Sequence, residues 1–360
     1  MAISNLDVHY LIQEAKELEG EFLQKAFGQG GAFRFKFRHT DWVFHLPESA
    51  FLTKTPPHFS EHPTSFVMLL RKRLTGRLEK ISHVGFDRIV QLHFPDVSIV
   101  AELFADGNLL LLDGVDYILK PWKSEEFSSR KLQSGQKYQP PPQDKTHPAS
   151  FDPRVLDAMQ GQIISALSKT VNLSPFYLEE ACVRAGLDKK TPVHQLTADQ
   201  KQKLKTALSA LLVEPLTPRI YLENGKPKIA APFTLQSLAL LESVPAATFS
   251  DALQAVFQEA TAVKKAEQLQ ALPAIADERK SVVLEKQHHS LESFEQRASD
   301  AQKKAEWIYL NFGLIENLRE HSDSHEETIR PLIPAGLSFK KKRHKIEIIL
   351  PEPKAENADA

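Results

Sequence analysis

Between Leu284 and Ile315 the chain repeats apolar residues at heptad spacing: Leu284, Gln287, Leu291, Phe294, Ala298, Ala301, Ala305, Ile308, Phe312 and Ile315. Only Gln287 interrupts this seam, and a pattern so long belongs to neither a strand nor a loop. At about 1.5 Å per residue the stripe runs roughly 40–50 Å along a helix. One helix with one seam is half of a coiled coil, so it calls for a second helix. The preceding sequence predicts a shorter helix over 249–272 closed by Pro273, with the long helix opening near Asp277. The shorter helix covers only part of the seam. The expected partner is therefore a second copy of the chain in an antiparallel coiled coil, or a separate chain that supplies the second arm.

Upstream, residues 1–138 read as a mixed, strand-rich domain. A first helix is predicted over 7–18, with Asp7 as cap and Leu11, Ala15 and Leu18 facing inward. Short strands are predicted over 32–39, 41–46, 78–84, 89–94, 98–104 and 108–113, with a hairpin turn at Asp106-Gly107. In the first, Phe33, Phe35 and Phe37 enter the core, while Arg34, Lys36 and Arg38 form a basic stripe. That stripe is either a solvated face or part of an RNA surface. A helix over 66–74 puts Phe66, Leu69, Leu70 and Leu74 on one face, projects Arg71, Lys72 and Arg73 from the others, and stops at Gly76. Then comes Gly85-Phe86-Asp87-Arg88 at a strand entrance, where glycine lets backbone and partner approach closely. A fixed Asp beside an Arg is either a surface ion pair or a grip on a polyanion. In the second case the guanidinium forks onto phosphate or a base edge, and the carboxylate orients it or accepts from a base amine.

The polar stretch 139–153, with Pro140-Pro141-Pro142, reads as a linker. Residues 154–248 predict helices over 155–167 and 176–185, a turn at Gly186-Leu187-Asp188, and the segment 192–196. Thr197-Ala198-Asp199-Gln200 then reads as a capping box opening a helix to 212. A hairpin follows over 219–233 around Asn224-Gly225. The coiled-coil arm takes 249–320, a small module 321–350, and a polar, disordered tail 351–360. The fold class is α+β.

Net charge is −1, so binding to nucleic acid must come from local basic patches. The single cysteine, Cys182, permits no internal disulfide and no cysteine-based zinc site, and its apolar helical context makes it a small core residue. His288-His289 point to different helix faces, and His321, Asp323 and His325 lie in a polar segment, so solvated histidines and no metal are expected. There is no Walker loop, dinucleotide fingerprint or nucleophile elbow, and no cofactor is expected. The N-terminus lacks a signal-peptide pattern, and no window approaches a membrane span, which together predict a cytoplasmic protein.

Leu46-Pro47 to Thr53, Pro56-Pro57, Ser65 to Leu70 and Gly85-Phe86-Asp87-Arg88-Ile89-Val90 resemble the N-terminal domain of the NFACT family. The opening from Ser4 to Leu11, leading to Glu17-Leu18-Glu19-Gly20, resembles that family's start. Tyr177-Leu178-Glu179-Glu180-Ala181 and Arg184-Ala185-Gly186 resemble the helix-two-turn-helix module it shares with formamidopyrimidine-DNA glycosylases. The first domain is likewise expected to be similar to the glycosylase N-terminal domain. Glu306 to Leu318 and 329–350 resemble the end of the first coiled-coil arm and its middle module.

The resemblance implies a non-enzymatic factor of ribosome-associated quality control. Such a factor binds tRNA, the RNA and proteins of the large ribosomal subunit, and the peptidyl-tRNA of a stalled chain, and supports untemplated C-terminal tailing. It implies a tRNA-handling surface at Asp7, Asp87 and Arg88, which the basic run Arg71, Lys72 and Arg73 joins. The family's return helix and C-terminal RNA-binding domain are missing before Ala360, which implies a split, short or truncated form. The alternative is an RNA-binding structural or regulatory subunit without tailing activity. Glycosylase chemistry needs an N-terminal proline beside a glutamate, and Ala2 and Ile3 stand there instead. An adhesin, a role attached by name to some relatives, is disfavoured without a signal peptide.

Overall fold

The computed structural model describes residues 3–59, 62–343 and 345–349, with backbone alone at 268–279 and 281–283. The chain divides into two compact units, Met1–Glu267 and Gln268–Ala360. In the first, helix α1 (Asn5–Ala15) begins before the expected position because Ser4, not Asp7, is its N-cap. Ser4 Oγ accepts from the Asp7 amide at 3.2 Å, and Asp7 Oδ2 accepts from the Ser4 amide at 2.8 Å. This reciprocal pair is a capping box. A 3₁₀ turn, Lys16–Leu18, completes the element.

Strands β1 (Lys25–Gln29), β2 (Ala32–Lys36), β3 (Asp41–His45) and β4 (Ser49–Thr53) form an antiparallel meander. β1 and β4 carry no legible alternation: β1 is broken by Gly28, and β4 is buried at every position. The Phe33, Phe35 and Phe37 rings are buried, as their alternation predicts. Helix α2 (Ser65–Arg73) packs against β1 through Phe66, Val67 and Leu70. A second meander holds β5 (Lys80–His83), β6 (Ile89–His93), β7 (Val97–Glu102), β8 (Asn108–Asp113) and β9 (Ile118–Pro121). Every residue of β7 and all but the last of β8 are buried, because both faces of this sheet are covered. α1 contacts β5 and β6 within the main core, and Ile89, Val100, Leu110, Leu112, Ile118, Leu132 and Tyr138 form a smaller cluster of their own. Gly107, at φ +66, closes the β7–β8 turn, where an added Cβ would stand 2.8 Å from Leu46 Cβ. The short pair β10 (Glu125–Glu126) and β11 (Lys131–Leu132) follows.

The helix expected over 155–167 is broken. A 3₁₀ turn, Pro153–Ala158, is followed by α3 (Ile163–Thr170), with Gly161 at φ +90 between them. No right-handed helix passes through that backbone angle. Helices α4 (Pro175–Arg184) and α5 (Ala198–Ala210) come next, α5 opening on the Thr197–Gln200 capping box. β12 (Arg219–Glu223), β13 (Lys226–Ala231) and β14 (Ser243–Pro245) form a small sheet, turning at Asn224 and Gly225, both at positive φ.

Helix α6 (Phe249–Leu310) runs through Pro273, where the sequence predicts a stop. A proline inside a helix forfeits one ladder bond, and strong helix formers on both sides sustain the rest. Its first turns belong to the main core, with Phe249, Ala252 and Leu253 buried and Ser250 Oγ accepting from the Leu52 amide at 2.9 Å. In the second unit Leu284, Leu291, Phe294, Ile308 and Phe312 are exposed, between 48% and 65%. The seam does not stay on one helix: α6 ends at Leu310, and Phe312 and Ile315 fall on α7 (Phe312–Glu320). α8 (Glu326–Ile329) and the hairpin β15 (Ser338–Lys342) with β16 (Lys345–Ile349) follow. The expected disordered tail lies outside the described residues. Among the described residues no helix is long and apolar enough to cross a membrane.

Candidate nucleic-acid interface

The β5–β6 hairpin presents Asp87 and Arg88 through a tight turn. The Asp87 amide donates to the Val84 carbonyl at 3.1 Å, with Gly85 at φ +61 and Phe86 at φ +50 between them. Two consecutive positive φ angles mark a type I′ turn. Gly85 meets that requirement without strain, whereas a bulky residue such as Phe86 pays about 1–3 kcal/mol for it. Burial holds Phe86 in place: its ring centroid lies 4.5 Å from His147, 5.1 Å from His83 and 5.8 Å from His9. Its carbonyl accepts from Asn172 Nδ2 at 3.1 Å and from Asn5 Nδ2 at 3.4 Å.

Both named residues of the turn are anchored through backbone. His83 Nε2 donates to the Asp87 carbonyl at 2.6 Å, and Asp87 Oδ1 accepts from the Arg88 amide at 2.7 Å. Burial pushes His83 down to about 4, so its ring is neutral near pH 7 and the donating tautomer fits this bond. The Arg88 carbonyl accepts from the Leu103 amide at 2.8 Å, and its guanidinium lies 5.8 Å from the Phe104 ring. Phe104 also lies 5.7 Å from Arg130, whose buried guanidinium pairs with Glu102 at 2.9 Å. Among the described residues no carboxylate pairs with Arg88. Asp87 holds the Arg88 amide rather than its guanidinium.

An open groove of about 340 Å³ lies beside the turn, lined by Asp87, Arg88, Ser4, Asn5, Lys145, Asn172 and Ser174, among others. The starts of α1 and α4 both border it, and Lys145 is exposed. Ser174 caps α4 without a side-chain bond, and its buried Oγ finds no partner among the described residues.

The other residues expected at the surface are placed elsewhere. Asp7 is 3% exposed and accepts from the Tyr177 hydroxyl at 2.6 Å. Burial raises its carboxyl against those hydrogen bonds. It borders a different cavity, about 170 Å³, with Glu48, Phe257 and Lys264. Arg71 donates to the Ala26 carbonyl at 2.8 Å, and its guanidinium lies 5.4 Å from the Phe27 ring, which Arg34 and Lys25 approach at 4.7 and 5.2 Å. Lys72 and Arg73 are exposed at the end of α2, but none of this run lines the groove. Of the basic stripe, Arg34 is paired with Asp41 at 2.9 Å, while Lys36 is half-buried and Arg38 exposed. Sequence reasoning missed Asn5, His83, Lys145, Asn172 and Ser174. No spacing signals them, since Asn5 and Asn172 meet across 167 positions.

A family model described as NFACT N-terminal and middle domains matches residues 47–329. The chain is 29% identical to the archaeal Rqc2 homolog aRqcH of Methanocaldococcus jannaschii, over 88% of this chain and 51% of that protein. It is 33% identical to the Rqc2 homolog RqcH of Bacillus subtilis, over 46% of this chain and 31% of that one. The chain thus spans about half the length, or less, of these curated relatives. Among solved structures, the fibrinogen binding protein from Staphylococcus aureus is similar at a TM-score of 0.57 and 20% identity, covering 70% of this chain and 98% of that one. The N-terminal part of the fibronectin/fibrinogen-binding protein from Streptococcus suis reaches 0.56 and 17%, covering 72% and 100%. At such identities the likeness concerns the fold.

Proposed function

The chain belongs to the family of NFACT N-terminal and middle domains, and from that premise we propose that it is a tRNA- and large-subunit-binding factor of ribosome-associated quality control. In this reading it holds tRNA on a split large subunit in the cytoplasm and supports untemplated tailing of the stalled chain. The ribosome itself transfers the peptide, so the protein acts by positioning and not as an enzyme. The observation that carries the reading is the groove of Asp87 and Arg88, a cationic, preformed cleft bordered by two helix starts. Arg88 and Lys145 suit the phosphate backbone, Asp87 suits a base or ribose donor, and the start of α4, which has no side-chain cap, favours anions. Lys72 and Arg73 add long-range attraction from the end of α2, and Arg71 braces that surface against β1. Asp7 serves it from behind, tying α1 to α4 through Tyr177.

The exposed seam residues of α6 and α7 are read as the surface for a second arm, from another chain or a second copy. Charged replacements at Leu291 and Ile308 are expected to release that partner in light scattering. The decisive experiment removes this chain from cells and scores C-terminal tails on stalled nascent chains, then restores it with and without Arg88→Ala. Loss of tails without the chain, unrestored by the variant, supports the proposal. Tailing that is independent of the chain overturns it and leaves an RNA-binding subunit without tailing activity.

A further inference from the structure

The backbone that carries Asp87 and Arg88 reaches its pose through a residue that resists it. Phe86 sits at φ +50, and contacts from three distant segments keep it there. From the stretch before α4, Asn172 Nδ2 donates to the Phe86 carbonyl at 3.1 Å. From α1, Asn5 Nδ2 reaches the same carbonyl at 3.4 Å and the Asn172 carbonyl at 2.8 Å. From the proline-rich stretch, His147 packs on the ring at 4.5 Å, and the Thr146 carbonyl accepts from the Asn172 amide at 2.8 Å.

Two amide donors converging on one carbonyl fix the plane of the peptide leading into Asp87. Without them the favoured escape for Phe86 is back to negative φ. Such a change would turn the Asp87 carboxylate and the Arg88 guanidinium away from the groove. Neither Asn5 nor Asn172 carries charge, and Asn5 is 6% exposed, so direct attraction of a polyanion is not its role. We propose that Asn5 and Asn172 are positioning residues that clamp the Phe86 carbonyl, hold the turn in its strained form, and so preorganise Asp87 and Arg88 for RNA. This rests on the reading of the groove as a tRNA surface. It adds a consequence: α1, the β5–β6 turn and the entry to α4 act on the ligand as one unit, through a single carbonyl.

The test uses the full chain with Asn5→Ala, Asn172→Ser and Arg88→Ala, singly, and with each asparagine variant combined with Arg88→Ala. Total tRNA affinity and amide hydrogen exchange are measured on the same samples. Asn5→Ala is expected to weaken tRNA binding about three- to tenfold on its own and by clearly less once Arg88 is gone, when only Asp87 is left to misplace, because residues acting through shared groups are coupled. The Asp87 amide should exchange faster in both asparagine variants, with β7 and β8 unchanged. Additive losses of affinity, or an Asp87 amide protected as in the wild type, overturn the proposal. If Arg88→Ala binds tRNA normally, the tRNA reading fails, and the clamp is then decided by the exchange at Asp87 alone. Asn172→Ser keeps the experiment informative if Asn5→Ala disturbs the start of α1.

Discussion

Asp7 and Asp87 belong to the same unit, Asp7 in the first turn of helix α1 and Asp87 in the hairpin turn that leads into β6. Each accepts from a backbone amide of its own turn, Asp7 from Ser4 at 2.8 Å and Asp87 from Arg88 at 2.7 Å. Their surroundings then diverge. α4 lays Tyr177 over Asp7, leaving the carboxylate 3% exposed and its proton affinity raised by burial. Nothing comparable covers Asp87, which lines an open groove next to Arg88 and Lys145. Residue type is the same and each carboxylate takes a nearby backbone amide, although one stands in a capping box and the other at the end of a type I′ turn. What separates a tie between helices from a group offered to a ligand is the chain laid over it, and no local pattern encodes that.

The largest expected effect lies behind the Asp87 turn. Burial, helped by the neighbouring charges of His9 and His147, lowers His83 from 6.5 to about 4, against the raising effects of its bond to the Asp87 carbonyl and of the Asp87 charge. The unfolded chain therefore takes up a proton near 6.5 that the folded one refuses until about 4. Stability is full above 6.5 and falls as pH drops through that window, by roughly 3 kcal/mol from His83. Urea unfolding across pH should show a shallower fall for His83→Gln than for wild type, with a residual slope from His9, His45, His93 and His147, which burial also lowers. Equal slopes would mean that the ring is not held neutral beneath the turn.

Next come the groove residues themselves. Asp87→Ala and Arg88→Ala should each cost about 1.5–3 kcal/mol of tRNA binding, the scale of a charged hydrogen bond, with melting temperature nearly unchanged. Variants that melt early yet bind normally when folded would make the turn structural, like that of Asp7, and erase the contrast. Asp7→Ala should show the opposite signature. Leaving the buried Tyr177 hydroxyl without its acceptor costs about 1–3 kcal/mol of stability. Asp7→Asn, whose single oxygen can serve Tyr177 or the Ser4 amide but not both, should recover part of that loss, and with it part of any fall in tRNA binding measured below the melting transition. A wild-type melting curve for Asp7→Ala would show that the tie carries nothing. The smallest effect belongs to Lys72 and Arg73. Alanine at either should lower the slope of log affinity against log salt by about 1 while leaving the choice among tRNAs unaltered. An unchanged slope would remove the end of α2 from the surface.

Much of the fold was legible because it is written locally. The Thr197–Gln200 capping box, the Asn224-Gly225 turn and the alternation of Phe33, Phe35 and Phe37 each need only a few neighbouring residues, and each formed as the pattern demands. The strand entrance at Gly85-Phe86-Asp87-Arg88 and the α+β class were legible in the same way. Elements without a local period escaped: β4 is buried on both faces, Gly161 splits one expected helix, and Pro273 fails to split another. The site was legible only in its charged members. Its uncharged supports became visible once folding joined segments far apart, with Asn5 meeting Asn172 across 167 positions and Tyr177 meeting Asp7 across 170. Sequence by itself determined which residues carry charge, turn chemistry and apolar period, because those are properties of side chains and their immediate neighbours. Tertiary structure alone decided which aspartate is sealed and which faces the groove, because burial depends on every segment that packs against a residue.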